Sequence, residues 1–266
     1  MTPAPGLAPE ALLIVAHGDC GGVRDNRLAA TVAARMARTG RFGGVGIGYI
    51  RTTPDLAAAA AALEGDLVRV YPLFMSDGYY VSHAIPERLE IADGGADPRG
   101  RRFTIMQPTG LSPRLPAIVA GLARTAAKAA GLAPAVARLL IVAHGSTKDP
   151  ASRLAAEAAA AAIAGTDDFA AVDAAFLDEA PFLADRLAAL PGPLIVSGLF
   201  IGEGLHGAED MEAAVAATGR RDLHLAPPLA RARALIDAIC ADITAPQPAA
   251  RQPRKRGSDP PRSLPR

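Results

Sequence analysis

The sequence has no apolar run long enough to cross a bilayer. A spanning helix takes about 20 apolar residues, whereas runs such as Leu12 to Ala16 and Leu139 to Ala143 end after a few. The first ten residues hold three prolines and no basic residue, and no apolar core of signal-peptide length follows them. No secretory leader and no membrane partner are therefore expected. Cysteine is scarce as well. Cys20 and Cys240 lie far apart and make no disulfide framework, so a reducing cytoplasm is the expected compartment. The folded body carries no basic stripe, which argues against a nucleic-acid partner. Nucleotide signatures are missing too. There is no P-loop, and Gly43-Gly44-Val45-Gly46-Ile47-Gly48 leads into a strand instead of following one into a helix, so the dinucleotide fingerprint is absent. Ser146 stands near His144 but outside any nucleophile-elbow context, which leaves a hydrolase triad unsupported.

Charge is distributed unevenly. From Thr244 to Arg266 six basic residues face one acid, Asp259, so this stretch carries +5 and the body −4 against a chain total of +1. Six prolines and almost no large apolar residues fall in the same stretch. Such a composition cannot bury enough surface to fold, and a disordered basic tail is expected there.

What the chain does contain is a repeat. Its 266 residues are half apolar, enough for one large core or two small ones. Ala11-Leu-Leu-Ile-Val-Ala-His17-Gly18 returns as Arg138-Leu-Leu-Ile-Val-Ala-His144-Gly145, 127 positions later. At that spacing Tyr49 meets Phe176, Pro54 meets Pro181 and Leu56 meets Leu183; at 126, Leu73-Phe74 meets Leu199-Phe200 and Gly78 meets Gly204. The chain divides accordingly into residues 1–132, 133–243 and the tail 244–266. In each half, continuously apolar strands alternate with Ala- and Leu-rich helices, the pattern of a parallel sheet buried on both faces. Strands are expected near 11–16, 45–50, 67–74 and 102–107, then near 138–143, 171–177, 193–200 and 222–226. Helices of the second half are expected near 150–164, 180–189, 207–218 and 228–242, with Asp149-Pro150 as an N-cap and first helical position. The first half has an extra polar loop, Asp93 to Arg101. The fold class is α/β: two homologous Rossmann-like units, each a small parallel sheet covered by helices.

Ligands of such sheets bind beyond the carboxyl ends of the strands, and three strand ends of the second half carry chemistry. His144 follows the first strand, Asp178 and Glu179 end the second, and His206 comes shortly after the third. Two imidazoles and a carboxylate converging on one edge suit a divalent transition metal with coordination positions left open, and the carboxylate also accepts protons. Singly, each residue reads as structural: a turn histidine before a glycine, a helix-start histidine, a helix-capping acid. Together they favour function. Cys20 near His17 is more often incidental than a soft-metal ligand, and His224 reads as a partly buried strand residue.

At these residues the chain resembles the sirohydrochlorin cobalt- and iron-chelatases, the class II tetrapyrrole chelatases. The matching features are the apolar strand into His144-Gly145-Ser146, Phe176-Leu177-acid, and a third strand running into Gly204-x-His206-x-x-x-Asp210. The Ile-Pro pair that follows the aspartate in that family is missing here, although Ile85-Pro86 keeps it in the first half. The resemblance implies two Rossmann-like domains facing a cleft, and insertion of Co2+ or Fe2+ into a carboxylate-rich tetrapyrrole. The metal enters as substrate, and neither ATP nor an organic cofactor is needed. It implies His144 and His206 as metal ligands, with His144 also accepting a pyrrole proton and Asp178 or Glu179 completing the site and carrying protons away. The family register falls on Asp178, and Glu179 is one place displaced. In the first half His17 is kept, but Arg51 and Thr52 hold the acidic position, Tyr80 replaces the second histidine, and His83 stands three residues further on. That half reads as a degenerate partner shaping the cleft, with Arg51, Tyr79 and Tyr80 toward the substrate. Lys148, Arg153 and Arg51 are candidate clamps for substrate carboxylates. Two rival readings stand beside this one: a metal or tetrapyrrole carrier without turnover, and a phosphate-binding protein holding an anion at Gly145-Ser146 and the next helix start. Cobalt, iron and nickel are not distinguished by these ligands, and homo-oligomerisation is left open.

Overall fold

The structure, a computed structural model, describes residues 10–18, 27–92, 94–202 and 206–246, without the His206 side chain. Cys20 and the tail from 247 onward lie outside them. The first half runs β1 (Ala11–Ala16), α1 (Arg27–Arg38), β2 (Val45–Tyr49), α2 (Leu56–Ala61), β3 (Leu67–Pro72), α3 (Ile85–Arg88), β4 (Arg102–Ile105) and α4 (Leu115–Ala129). The second runs β5 (Arg138–Ala143), α5 (Ala151–Ala164), β6 (Ala171–Phe176), α6 (Leu183–Ala189), β7 (Leu194–Gly198), α7 (His206–Ala217), β8 (Leu223–Leu225) and α8 (Arg233–Thr244). The strands form two four-stranded sheets with the same order, β2-β1-β3-β4 and β6-β5-β7-β8. Every pairing in them is parallel.

The repeat is reproduced down to single contacts. The bridge between Tyr49 and Asp55 returns as Phe176 with Phe182, and Gly18 and Gly145 share a φ of 74°. The central strands are apolar throughout because both faces are covered: Leu12 to Val15 and Leu139 to Val142 are fully buried. Expected ends shift where the backbone has other partners. The third strand stops at Pro72 and its counterpart β7 at Gly198, each followed by one last bond to the first strand, from Leu73 N–H to Val15 O and from Leu199 N–H to Val142 O, both at 2.7 Å. Helix α6 starts at Leu183 and not near 180, because Phe182 stays extended and Phe176 N–H bonds to Pro181 O at 3.0 Å. A 3-10 turn, Leu229–Arg231, takes the start expected for α8. Pro150 is the capping residue of α5, while Asp149 Oδ1 accepts the N–H of Ala151 at 2.9 Å.

The two halves exchange their last helices. Helix α4 packs on β7, β8 and α5, and α8 packs on α1. Side chains fasten α8 to the first half: Arg35 to Asp237, Arg114 to Asp242, and Arg69 Nη1 to Ile243 O at 2.8 Å. Arg69 also pairs with Glu10 at 2.7 Å. One core therefore runs through the middle of the molecule, joining Leu12, Ile14 and Val119 to Leu139, Ile195 and Ile239. Each sheet's other face has its own core, built with α2 and α3 in the first half and with α6 and α7 in the second. Full burial of a side chain such as Phe176 stabilises by about 1.5–3 kcal/mol, and the shared core makes that gain common to both halves.

Candidate functional site

In each sheet the chain order reverses between the first and third strands, so the connections at their carboxyl ends part and leave a crevice. His17 follows β1 and His144 follows β5. Each carbonyl is held by the chain after the second strand: Arg51 N–H donates to His17 O at 2.9 Å, and Asp178 N–H to His144 O at 2.9 Å. The following glycine must be a glycine. Besides its φ of +74°, a β-carbon on Gly145 would stand 2.8 Å from both Phe176 Cβ and Glu179 Cγ.

Both histidines open into one cleft of about 410 Å³, lined also by Tyr80, Phe200, Leu73 and Ser152. His144 is exposed and His17 half-buried. The His144 ring meets Phe200 edge-on at 5.1 Å between centroids, and the His17 ring meets Tyr80 edge-on at 5.1 Å. His17 Nδ1 bonds to the Gly18 carbonyl at 3.1 Å, which puts the proton of the neutral ring on Nδ1. His144 Nε2 lies against the start of α7, 2.7 Å from where a β-carbon on Gly207 would be. That contact brings His144 beside the backbone of His206, the first residue of α7.

The two candidate acids differ in setting. Asp178 is exposed. Glu179 is turned in, its side chain 13% exposed, with Oε1 accepting Ser146 N–H at 2.8 Å and Oε2 facing Arg153 Nε at 3.3 Å. Thr52 takes the place of Glu179 in the first half, against Gly18. Gly145 N–H is likewise taken, by Ser152 Oγ at 3.2 Å. With both N–H groups of Gly145 and Ser146 occupied, the turn offers no cradle for a phosphate, which counts against the anion-binding reading.

Of the candidate substrate contacts, Arg51 Nη2 donates to Tyr80 Oη at 3.5 Å, and the Tyr80 ring in turn stands edge-on to His17. Arg153 lies in the first turn of α5, between Glu179 and Glu157, and Lys148 is exposed on the loop before it. Tyr79 and His83 stack at 5.7 Å, and His83 Nδ1 bonds to Ser82 Oγ at 2.9 Å. His83 is not among the residues lining the cleft. His224 is half-buried in β8. Among the described residues no three His, Cys, Asp or Glu side chains are gathered closely enough to hold a metal ion, and the His206 side chain falls outside them. The sequence carried no sign of Phe200, Gly207 or Ser152 as parts of the site, except that Ser152 falls in a helix's first turn just after His144-Gly145.

The CbiX family model matches residues 11–126 and again residues 138–245, once for each half. A probable sirohydrochlorin cobaltochelatase of Halobacterium salinarum is 26% identical over 76% of this chain and 75% of its own length. The solved structure of CbiX, the terminal enzyme for biosynthesis of siroheme in denitrifying bacteria, is 32% identical. It covers 88% of this chain and 97% of its own, with a TM-score of 0.70. The sirohydrochlorin chelatase SirB of Bacillus subtilis subspecies spizizenii, in complex with cobalt, shares the fold at 16% identity and a TM-score of 0.69, over 88% of this chain and 94% of its own. Two matched halves, one cleft between them and a relative of this identity along nearly its whole length agree, and the chain belongs to the CbiX family.

Proposed function

We propose that this chain is a sirohydrochlorin chelatase, inserting Co2+ or Fe2+ into the metal-free tetrapyrrole. The observation that carries the proposal is the single cleft that gathers the strand-end histidines of both sheets, His17 and His144, between largely apolar walls. The reaction exchanges two pyrrole N–H protons for one divalent ion. It needs a flat apolar slot for the ring, cations for its carboxylates, and a base and ligand above its centre.

His144 and His206 take the metal. His144 is exposed in the cleft beside the α7 start that carries His206, and neutral imidazole binds these ions well. Glu179 holds the turn that presents His144, through Ser146 N–H. Exposed Asp178 passes protons on to solvent. Arg51 with Tyr80, Lys148 and Arg153 provide charge-assisted contacts for the ring carboxylates. Tyr80, standing over His17 where the second half has its ligand histidine, leaves the metal to the second half.

The absorbance change as metal enters sirohydrochlorin tests this directly. Wild type should metallate the ring with Co2+ or Fe2+. His144→Ala and His206→Ala should abolish insertion while still binding the ring, and His17→Ala should weaken it far less. Glu179→Ala should be much slower than Asp178→Ala. Wild-type protein that binds the ring and never metallates it would be a carrier, and the proposal would fall.

A further inference from the structure

We infer that Asp149 is a positioning residue, a latch that ties the two halves together beside the cleft and sets the Tyr80 wall relative to the His144 turn. The inference rests on the chelatase reading for what the cleft holds, but the latch itself is a matter of geometry. Asp149 lies in the second half, between His144 and α5. Its Oδ1 accepts the N–H of Ala151 at 2.9 Å and closes the start of that helix. Its Oδ2 reaches into the first half and accepts the N–H of Tyr79 at 3.0 Å. The approach is close, and a side chain at position 78 would make the carboxylate give by a few tenths of an ångström. A β-carbon on Gly78 would stand 3.0 Å from that same Oδ2.

What Asp149 holds is the entry to the π-helical turn Tyr80–Ala84. Turns of this kind are rare and frequently mark functional sites, and an outside partner helps to fix where this one sits. Tyr80, at its start, is the residue packed on His17 and bonded by Arg51. A second cavity, of about 190 Å³, lies at the contact and is lined from both halves, by Tyr79 and Tyr80 on one side and Ser146, Asp149 and Ser152 on the other. Tyr80, Phe74 and Ser152 line this cavity and the main cleft alike. A shift of the Tyr79 turn therefore changes the width of the slot in which a flat ring would lie. A bond from a backbone N–H to a carboxylate is among the stronger hydrogen bonds, which suits a contact that fixes one half against the other.

Asp149→Ser separates the latch from the bond that supports the start of α5. Serine accepts a backbone N–H two residues on in the same kind of turn, so the bond to Ala151 is kept, but its single short hydroxyl cannot also reach Tyr79. The melting temperature should stay near wild type, while exchange of the Tyr79 amide, followed by NMR, speeds up about tenfold. The KM for sirohydrochlorin should rise about tenfold with kcat within about twofold, the loss of an interaction that positions substrate without joining the chemistry. Gly78→Ala should act in the same direction. The double variant should be no worse than the worse single one, because the added methyl then meets no carboxylate. Unchanged Tyr79 exchange and KM in Asp149→Ser would overturn the latch. So would a joint fall in melting temperature and kcat with a raised KM, which would make Asp149 a support for the start of α5 and nothing more. If wild type metallates nothing, the chelatase reading fails, and Tyr79 exchange alone decides the latch.

Discussion

A β-carbon on Gly207 would stand 2.7 Å from His144 Nε2 and 2.7 Å from the Phe200 ring, closer than real side chains approach. The His144 imidazole is thus seated between a turn that needs Gly145 and a helix start that needs Gly207, and the two glycines make different predictions. Gly145→Ala forces a side chain into a backbone conformation that costs about 1–2 kcal/mol and also drives it into Phe176 and Glu179. Stability and metal insertion should fall together. Gly207→Ala adds a methyl at a helix start, where alanine's advantage over glycine of about 1 kcal/mol is offset by overpacking against the buried Phe200 ring, which costs about 1–3 kcal/mol, so the melting temperature should fall less than in Gly145→Ala. The methyl must displace His144, and insertion should drop at least about tenfold, as expected when a reacting group is misplaced. A Gly207→Ala variant that metallates at the wild-type rate would show that the seat of His144 does not matter. His144-Gly145 was legible in the sequence because a strand ends there. Gly207 was not, because its closeness to His144 is created by the sheet order that sets β7 beside β5.

Single elements were legible to the extent that burial dictated them. The strands buried on both faces appear within a residue or two of their expected positions, since an unbroken apolar run has few other places to go. Helix starts were harder to read. At Phe182 and before α8 the chain remains extended or makes a 3-10 turn, choices set by contacts and not by propensity. The polar loop expected between Asp93 and Arg101 contains an order that its composition does not announce. Asp97 is buried, which alone would raise its carboxyl pKa. The Arg101 backbone N–H, the Arg101 guanidinium and the Arg99 N–H outweigh burial and hold it below the ordinary carboxylate range. A carboxyl lowered on folding adds stability that is fully present above the unfolded value, about pH 4. That stability is lost as pH falls through the lower, folded value. Asp97→Asn should therefore lower the melting temperature at neutral pH and flatten its decline in acid. The cost should be about 1–3 kcal/mol, that of weakening a charge-assisted bond to the half-buried Arg101, which keeps Ala60 O as a partner. A variant with the same acid limb as wild type would place the acid sensitivity elsewhere.

At the scale of the whole molecule the repeat was plain in the sequence, and the exchange of helices was not. A constant spacing says that two units are alike, but it does not say which sheet a helix covers. Here α4 lies on the second sheet and α8 against the first half, so neither half is complete without the other. Leu235, Ile239 and Ile243 of α8 are almost fully buried, and each such side chain contributes about 1.5–3 kcal/mol. Against a typical total stability of about 5–15 kcal/mol, their loss is enough to unfold the chain. Arg69 and Arg114 would at the same time lose Ile243 O and Asp242. Ending the chain at Ala232 should therefore abolish cooperative thermal unfolding and near-ultraviolet circular dichroism in both halves, although the first half is left with its whole sequence. By the same reasoning, residues 1–132 made alone should stay unfolded until residues 133–266 are added. A sharp transition from either fragment, close to that of the full chain, would mean that the halves are separate bodies and that the central core is an interface between them.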